Sequence, residues 1–293
     1  MVAAEHAYTQ AQTVEECLIE QEWDKYTDED HGVWKALFER QIKVLKPRVC
    51  KEYLDGIDRL GIVPDKIPDF RRMNERLQKA TGWRIMAVPG LISAKPFFSM
   101  LENRMFPSGT FIRKPHQMDY IEEPDIFHDV FGHAPLLTNP AYADYMCTYG
   151  KAGAPAIEHK GIKFLARLNW YTIEFGLIKN GDDLKIYGAG ICSSFGETQY
   201  ALDNSSPNHV QFNVERVLRT GYYIDDFQAT YFVIDSFEKL FEECIKRPFV
   251  PLYKECREKG DLSPFELVGS DSVLQKGTAA YWREFPKTKT KLK

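Results

Sequence analysis

In Pro124-Asp125-Ile126-Phe127-His128-Asp129-Val130-Phe131-Gly132-His133-Ala134-Pro135, two of the chain's seven histidines stand five residues apart with apolar residues between them. On one unbroken α-helix a five-residue step turns by about 140°, so the imidazoles of His128 and His133 would diverge. Bringing both to one ion requires the helix to loosen between them, and that requirement constrains this stretch more than any other in the chain. Pro124 suits a first helical position, and Glu122 and Glu123 suit the positive end of a helix dipole. Gly132 relaxes the backbone, and Pro135 disfavours the α region in the residue before it. The helix is therefore expected to end here with His133 turned inward. The alternative is one hydrogen-bonded core histidine and one surface histidine.

A third candidate ligand stands in the apolar run from Phe164 to Ile178, where Glu174 is the single acid. A buried carboxylate is costly without compensation, and coordinating a metal is one of the few compensations available. Two imidazoles and one carboxylate, with coordination positions left open, make the facial triad of non-haem Fe(II) oxygenases. The inorganic competitor is a zinc hydrolase. Its H-E-x-x-H pattern spaces the histidines by four with a glutamate between them. Here the spacing is five and no glutamate intervenes.

Four segments, in order, resemble the aromatic amino acid hydroxylases over roughly residues 20 to 250. They are Trp23-Asp24-Lys25-Tyr26, the histidine stretch, Glu174-Phe175-Gly176, and Tyr187-Gly188-Ala189-Gly190-Ile191-Cys192-Ser193-Ser194-Phe195-Gly196-Glu197. The resemblance implies iron held by His128, His133 and Glu174. It also implies O2-dependent 4-hydroxylation of L-phenylalanine to L-tyrosine, with tetrahydrobiopterin supplying the electrons that the metal cannot. It places Gly90, Ile92, Phe97, Asp129, Ala166 and Asn169 at the pterin, with Phe97 suited to stack on the flat ring. Asn169 stands where the family is expected to carry tyrosine. Arg113 matches the arginine that grips the substrate carboxylate through its planar fork, with Asp125 orienting it. Pro124, Trp170, Gly190 and Ser193 match positions around the amino acid, and Ser193 also suits a hydrogen bond to a ligating histidine. Ile121 stands where animal members carry threonine. Val233 falls where phenylalanine-specific members have valine, so tyrosine or tryptophan hydroxylation is the alternative within the family. Outside it stand a zinc hydrolase and a non-catalytic binding protein of the same fold.

The 293 residues, 44% hydrophobic and 13% aromatic, can bury one large core. Helical periodicity dominates, with a few short β-like runs, giving an α+β, predominantly α-helical single catalytic domain. The expected limits are a partly disordered segment 1–20, a catalytic domain 21–285 and a basic tail 286–293. Helices are expected after Thr27, over Tyr53–Leu60, from Asp69 to Gly82, from Pro96, from Pro140, around Glu174, over Ser194–Leu202 and from Ser236 towards Ile245. Strands are expected within Trp83–Gly90, Gly109–Arg113, Leu184–Tyr187 and Thr230–Asp235. A net charge of -4, from 38 basic and 42 acidic residues, argues against a nucleic-acid surface. The six cysteines lack C-x-x-C spacing and read as reduced thiols. With no apolar run near a membrane span and no leader pattern over Met1–His6, the expectation is a cytoplasmic monomer or weak dimer acting on small molecules.

Overall fold

Thr27 and Asp30 form the anticipated capping box, each side chain accepting from the other's backbone N–H, and α1 runs from Asp28 to Leu45. The structure is a computed structural model that describes residues 11–119, 121 and 123–284. Glu122, the leader reading over Met1–His6, the first half of segment 1–20 and the basic tail 286–293 lie outside the described residues. Contacts divide the chain into two units. One comprises the residues up to Pro47 together with Lys51–Ala154, and the other Arg48–Cys50 together with the residues from Pro155 onward.

In the first unit, α1 is followed by α2 (Lys51–Leu60), α3 (Phe70–Thr81), β1 (Arg84–Val88), α4 (Ala94–Glu102), β2 (Met105–Gly109) and α5 (Pro140–Lys151). Asp69 caps α3, and Gly82 closes it at φ 78°, a left-handed conformation that glycine adopts without steric cost. Strands β1 and β2 pair in parallel, from Arg84 opposite Met105 to Val88 opposite Gly109. The strand expected over Gly109–Arg113 thus lies four residues earlier and ends at Gly109. Beyond it no ladder partner remains: Phe111 O accepts from Ile126 N and Arg113 N donates to the Asp125 carboxylate. Within the expected loose N-terminal segment, Ala11 and Cys17 are buried with Val88 and Met100, and Ile19 N donates to Ala87 O.

The division between units falls within α6 (Gly153–Glu158). The second unit continues with α7 (Ile162–Asn169), β3 (Leu177–Asn180), β4 (Asp183–Ile186), α8 (Ala189–Cys192), α9 (Phe195–Asp203), β5 (Asn208–Gln211) and α10 (Val214–Arg219). There follow β6 (Thr230–Ile234), α11 (Phe237–Ile245), α12 (Phe249–Lys259), β7 (Val273–Gln275) and α13 (Ala280–Glu284). Its sheet has the order β4-β3-β6-β5-β7, with β6 parallel to both neighbours and antiparallel strands at the two edges. Central β6, Thr-Tyr-Phe-Val-Ile, is buried along its whole length, as a strand covered on both faces must be. No helix of the described residues is long and apolar enough to cross a membrane. All six cysteines are free and buried.

Candidate metal centre

The histidine stretch is a π-helix over Phe127–His133. It begins after Ile126, so Pro124 lies ahead of the helix instead of opening it. An i→i+5 turn places residues five apart on one face, which resolves the divergence that an α-helix would impose. His128 and His133 accordingly bring their Nε2 atoms to 3.2 Å, with ring planes at 81°. The π turn is anchored by its apolar face. Phe127 and Phe131 stack at 4.6 Å, Trp34 packs edge-on against Phe127, and Phe38 does the same against Phe131. Pro135 has no N–H, so in α register the Phe131 carbonyl would lose its partner. The buried Tyr53 hydroxyl donates to that carbonyl. Gly56 lets α2 close on the same end: a Cβ there would stand 2.1 Å from Pro135 O.

Asp125 organises the approach to this turn. Its Oδ1 accepts from His128 N at 3.1 Å, and its two oxygens take Arg113 Nη2 and Nε at 2.9 and 2.8 Å. Burial raises the pKa of this carboxyl, but the hydrogen bonds and charge of Arg113 outweigh it and hold the group below the usual carboxylate range. Arg113 thus belongs to a loop, not the expected strand, and it also lies 5.8 Å from the Phe127 ring. Beside it opens a cleft of about 540 Å³ walled by Tyr26, Phe111, Arg113, Lys114, Ile121 and Glu123.

The other expected residues of the first unit are more dispersed in their roles. Asp129 accepts from Gly109 N at 2.7 Å, tying the π turn to the end of β2. Gly90 has φ 155°, and a Cβ there would meet Glu123 Oε1 at 3.6 Å. Phe97 is half-buried and edge-on to Phe98, while Ile92 packs against the Ala11, Cys17, Val88 and Met100 cluster. Pro124 is half-buried.

In the second unit α7 also passes into a π turn, Trp170–Glu174, closed by Phe175 N donating to Trp170 O at 2.8 Å. Thr172 Oγ1 donates back to Leu168 O, a bond that bends helices. Glu174 is the last residue of this turn and is half-buried. Its backbone is pressed against the Tyr187–Gly190 segment. A Cβ on Gly188 would lie 2.3 Å from Glu174 O, and one on Gly190 would lie 2.9 Å from Phe175. Trp170 stacks on Tyr222 at 4.3 Å and donates from Nε1 to Gln228 Oε1 at 2.8 Å. Ala166 and Asn169 are half-buried on α7, and Ser193 Oγ donates to Ala189 O within its own turn. Val233 is wholly buried in β6, opposite Leu177 and Gln211.

Tyr53 is expected only as a helix-face residue, and Gln228 and Tyr222 have no expected role, because their partners stand far away in the chain. Glu197 stands in the Tyr187–Glu197 segment with no role expected of it.

The model of the biopterin-dependent aromatic amino acid hydroxylase family matches residues 17–259. The phenylalanine-4-hydroxylase of Caulobacter vibrioides is 51% identical over 263 residues, 90% of this chain and 89% of that protein. The one from Chromobacterium violaceum is 47% identical, covering 91% and 89%. Among solved structures, the cobalt-bound phenylalanine hydroxylase of C. violaceum aligns with a TM-score of 0.87 over 90% of this chain and 95% of its own, at 46% identity. The iron- and phenylalanine-bound form aligns at 0.83, covering 88% and 93%, at 47% identity.

Proposed function

The chain belongs to the biopterin-dependent aromatic amino acid hydroxylases, and we infer that within that family it is a phenylalanine 4-monooxygenase. It converts L-phenylalanine to L-tyrosine with O2, a tetrahydropterin and non-haem iron. The observation that carries this reading is the pair of imidazole nitrogens converging on one face of a π turn. Two nitrogen ligands at about 2.1 Å from one ion and roughly at right angles stand about 3.0 Å apart, close to the separation of His128 and His133. The neutral nitrogens match iron, and a carboxylate is the donor that completes a facial triad.

We assign that carboxylate to Glu174. It is the single acid of its apolar run and the last residue of the second unit's π turn. Bound there, iron with the pterin would supply the oxygen activation that no side chain can perform. The protein's own residues bind and orient. Arg113, with Asp125 occupying one edge of its fork, presents the other edge to the carboxylate of the amino acid. Asp125 also holds the backbone of His128, so the substrate grip and the metal face share one support. Trp170, Gly190, Ser193 and Pro124 form the surround of the ring, and Val233 the apolar wall that favours phenylalanine over tyrosine. We assign the pterin to Gly90, Ile92, Phe97, Asp129, Ala166 and Asn169, the positions the family resemblance matches to it. Ile92 contributes through its backbone, since its side chain is spent in the Ala11 cluster.

The free thiols fit a reducing compartment, and we place the enzyme in the cytoplasm. Purified protein loaded with Fe(II) and given tetrahydropterin and O2 should form tyrosine from phenylalanine faster than it hydroxylates tyrosine or tryptophan. Tightly bound zinc, with no pterin-dependent O2 consumption, would instead return the site to hydrolase chemistry.

A further inference from the structure

Gln228 and Glu197 are almost fully buried, at 2% and 4% exposure, and both lie outside the residues assigned to substrate, pterin or metal. Both ends of the Gln228 amide are engaged. Oε1 accepts from Trp170 Nε1 at 2.8 Å, while Nε2 donates to Tyr223 O at 3.2 Å and to Asp226 O at 3.0 Å. The amide therefore has a single orientation, because turning it over would set its NH2 against the indole N–H and its oxygen against two carbonyls. Its backbone is held as well. Gln228 N donates to Glu197 Oε1 at 3.1 Å, and the Tyr231 hydroxyl donates to the same oxygen. The Trp170 ring stacks on Tyr222 at 4.3 Å and meets the Phe175 ring, tilted by 37°, at 4.7 Å.

We propose that Gln228, held by Glu197, is a positioning residue that fixes the Trp170 indole as a rigid wall of the amino acid pocket and thereby limits the size of the ring the enzyme accepts. The proposal rests on the reading of Trp170 as a pocket residue. An indole stacked on Tyr222 but released at its N–H can still slide in its plane. A hydrogen bond at the edge removes that freedom, and loss of the acceptor from a partly buried N–H is costly enough to make the held position the stable one.

The test is a double-mutant cycle between Gln228→Met and Trp170→Phe, read as KM and kcat for phenylalanine and as the rate with tryptophan. Gln228→Met should raise the KM for phenylalanine by about three- to tenfold, the worth of one neutral hydrogen bond, with a much smaller change in kcat. It should also raise tryptophan hydroxylation relative to phenylalanine. In the Trp170→Phe background the same substitution should have no further effect, since no indole N–H remains to be held. The Trp170 indole N–H resonance, assigned by its loss in Trp170→Phe, should move in Gln228→Met without any turnover. An equal KM change in both backgrounds would overturn the proposal by reducing Gln228 to a packing residue. If Gln228→Met does not fold, Glu197→Leu and Glu197→Gln carry the test. The amide should recover most of the KM rise produced by leucine, and no rise in a folded Glu197→Leu would equally overturn it. Wild-type protein that forms no tyrosine with iron and pterin would sink the parent reading instead, and is seen in the first control.

Discussion

Arg113 and Asp125 face one another through two nearly parallel hydrogen bonds, Nε to Oδ2 at 2.8 Å and Nη2 to Oδ1 at 2.9 Å, with both side chains buried. The carboxylate uses one edge of the guanidinium and leaves the edge bearing Nη1 for a ligand. An arginine can serve both at once because its fork is planar and carries five donors, whereas a lysine ammonium cannot.

Arg113→Lys should therefore lower kcat/KM for phenylalanine about ten- to hundredfold, mainly through KM, as one charge-assisted bond of roughly 1.5–3 kcal/mol is lost. Asp125→Ala should act differently. Stranding a buried cation should cost about 3–5 kcal/mol of stability, measured by denaturant unfolding. The pH dependence has a definite sign. Because the Asp125 carboxyl titrates below its usual range in the folded protein, its contribution is present above the unfolded value and fades as pH falls through the lower folded one. An unchanged KM in Arg113→Lys would move the carboxylate site elsewhere.

Glu174→Gln keeps the shape of the side chain while removing the charge of the carboxylate we assign to the metal. It should lower iron content per chain and nearly abolish tyrosine formation while leaving circular dichroism and the unfolding midpoint close to wild type. Full iron occupancy with wild-type turnover in a folded variant would remove Glu174 from the ligand set.

The histidine site was legible because its geometry is local. The five-residue spacing demands a helix that is not α, and Gly132 and Pro135 mark where it must give way; a π turn answers that demand. The Thr27–Asp30 capping box and the strands β1, β4 and β6 were legible for the same reason, since each depends on residues a few places apart. The strand expected at Gly109–Arg113 was misplaced because its true limits are set by β1 and its residues are claimed by Asp125 and Ile126, which periodicity cannot anticipate. Strands β3, β5 and β7 are short and take their form from β6 and one another. The Tyr53 bond to Phe131 O and the Gln228 bond to Trp170 span 78 and 58 residues and leave no trace in spacing.

Gly188 and Gly181 give a paired test of why glycines surround Glu174. Gly188 has φ -66°, which any residue adopts, yet a Cβ there would stand 2.3 Å from Glu174 O and 2.5 Å from Gly176 N. Gly181 has φ +64° and nothing within 4 Å of a Cβ. Gly188→Ala should thus displace the backbone of Glu174, costing about 1–3 kcal/mol and a large part of iron affinity. Gly181→Ala should cost about 1–2 kcal/mol through conformation alone and leave iron affinity intact. Equal iron affinity in the two variants would show that the Gly188 contact does not govern the ligand.

The last prediction concerns the charge state of Glu197. Burial pushes its carboxyl up to about 8, against hydrogen bonds from Tyr231 and Gln228 N that favour the anion, and nearby Asp226 raises it further. The unfolded carboxyl titrates near the ordinary value of 4.5, so between that pH and about 8 the folded protein holds a proton that the unfolded chain has released. Stability contributed by the neutral group is complete below the unfolded value and is lost as pH rises through the folded one. Glu197→Gln, which is neutral at every pH, should escape that loss. Unfolding free energies of the two proteins should diverge in favour of the variant as pH rises from about 5 to about 8, and run parallel beyond. Curves that stay parallel across the whole interval would mean that Glu197 is ionised throughout, with Tyr231 and Gln228 N strong enough to carry a buried anion.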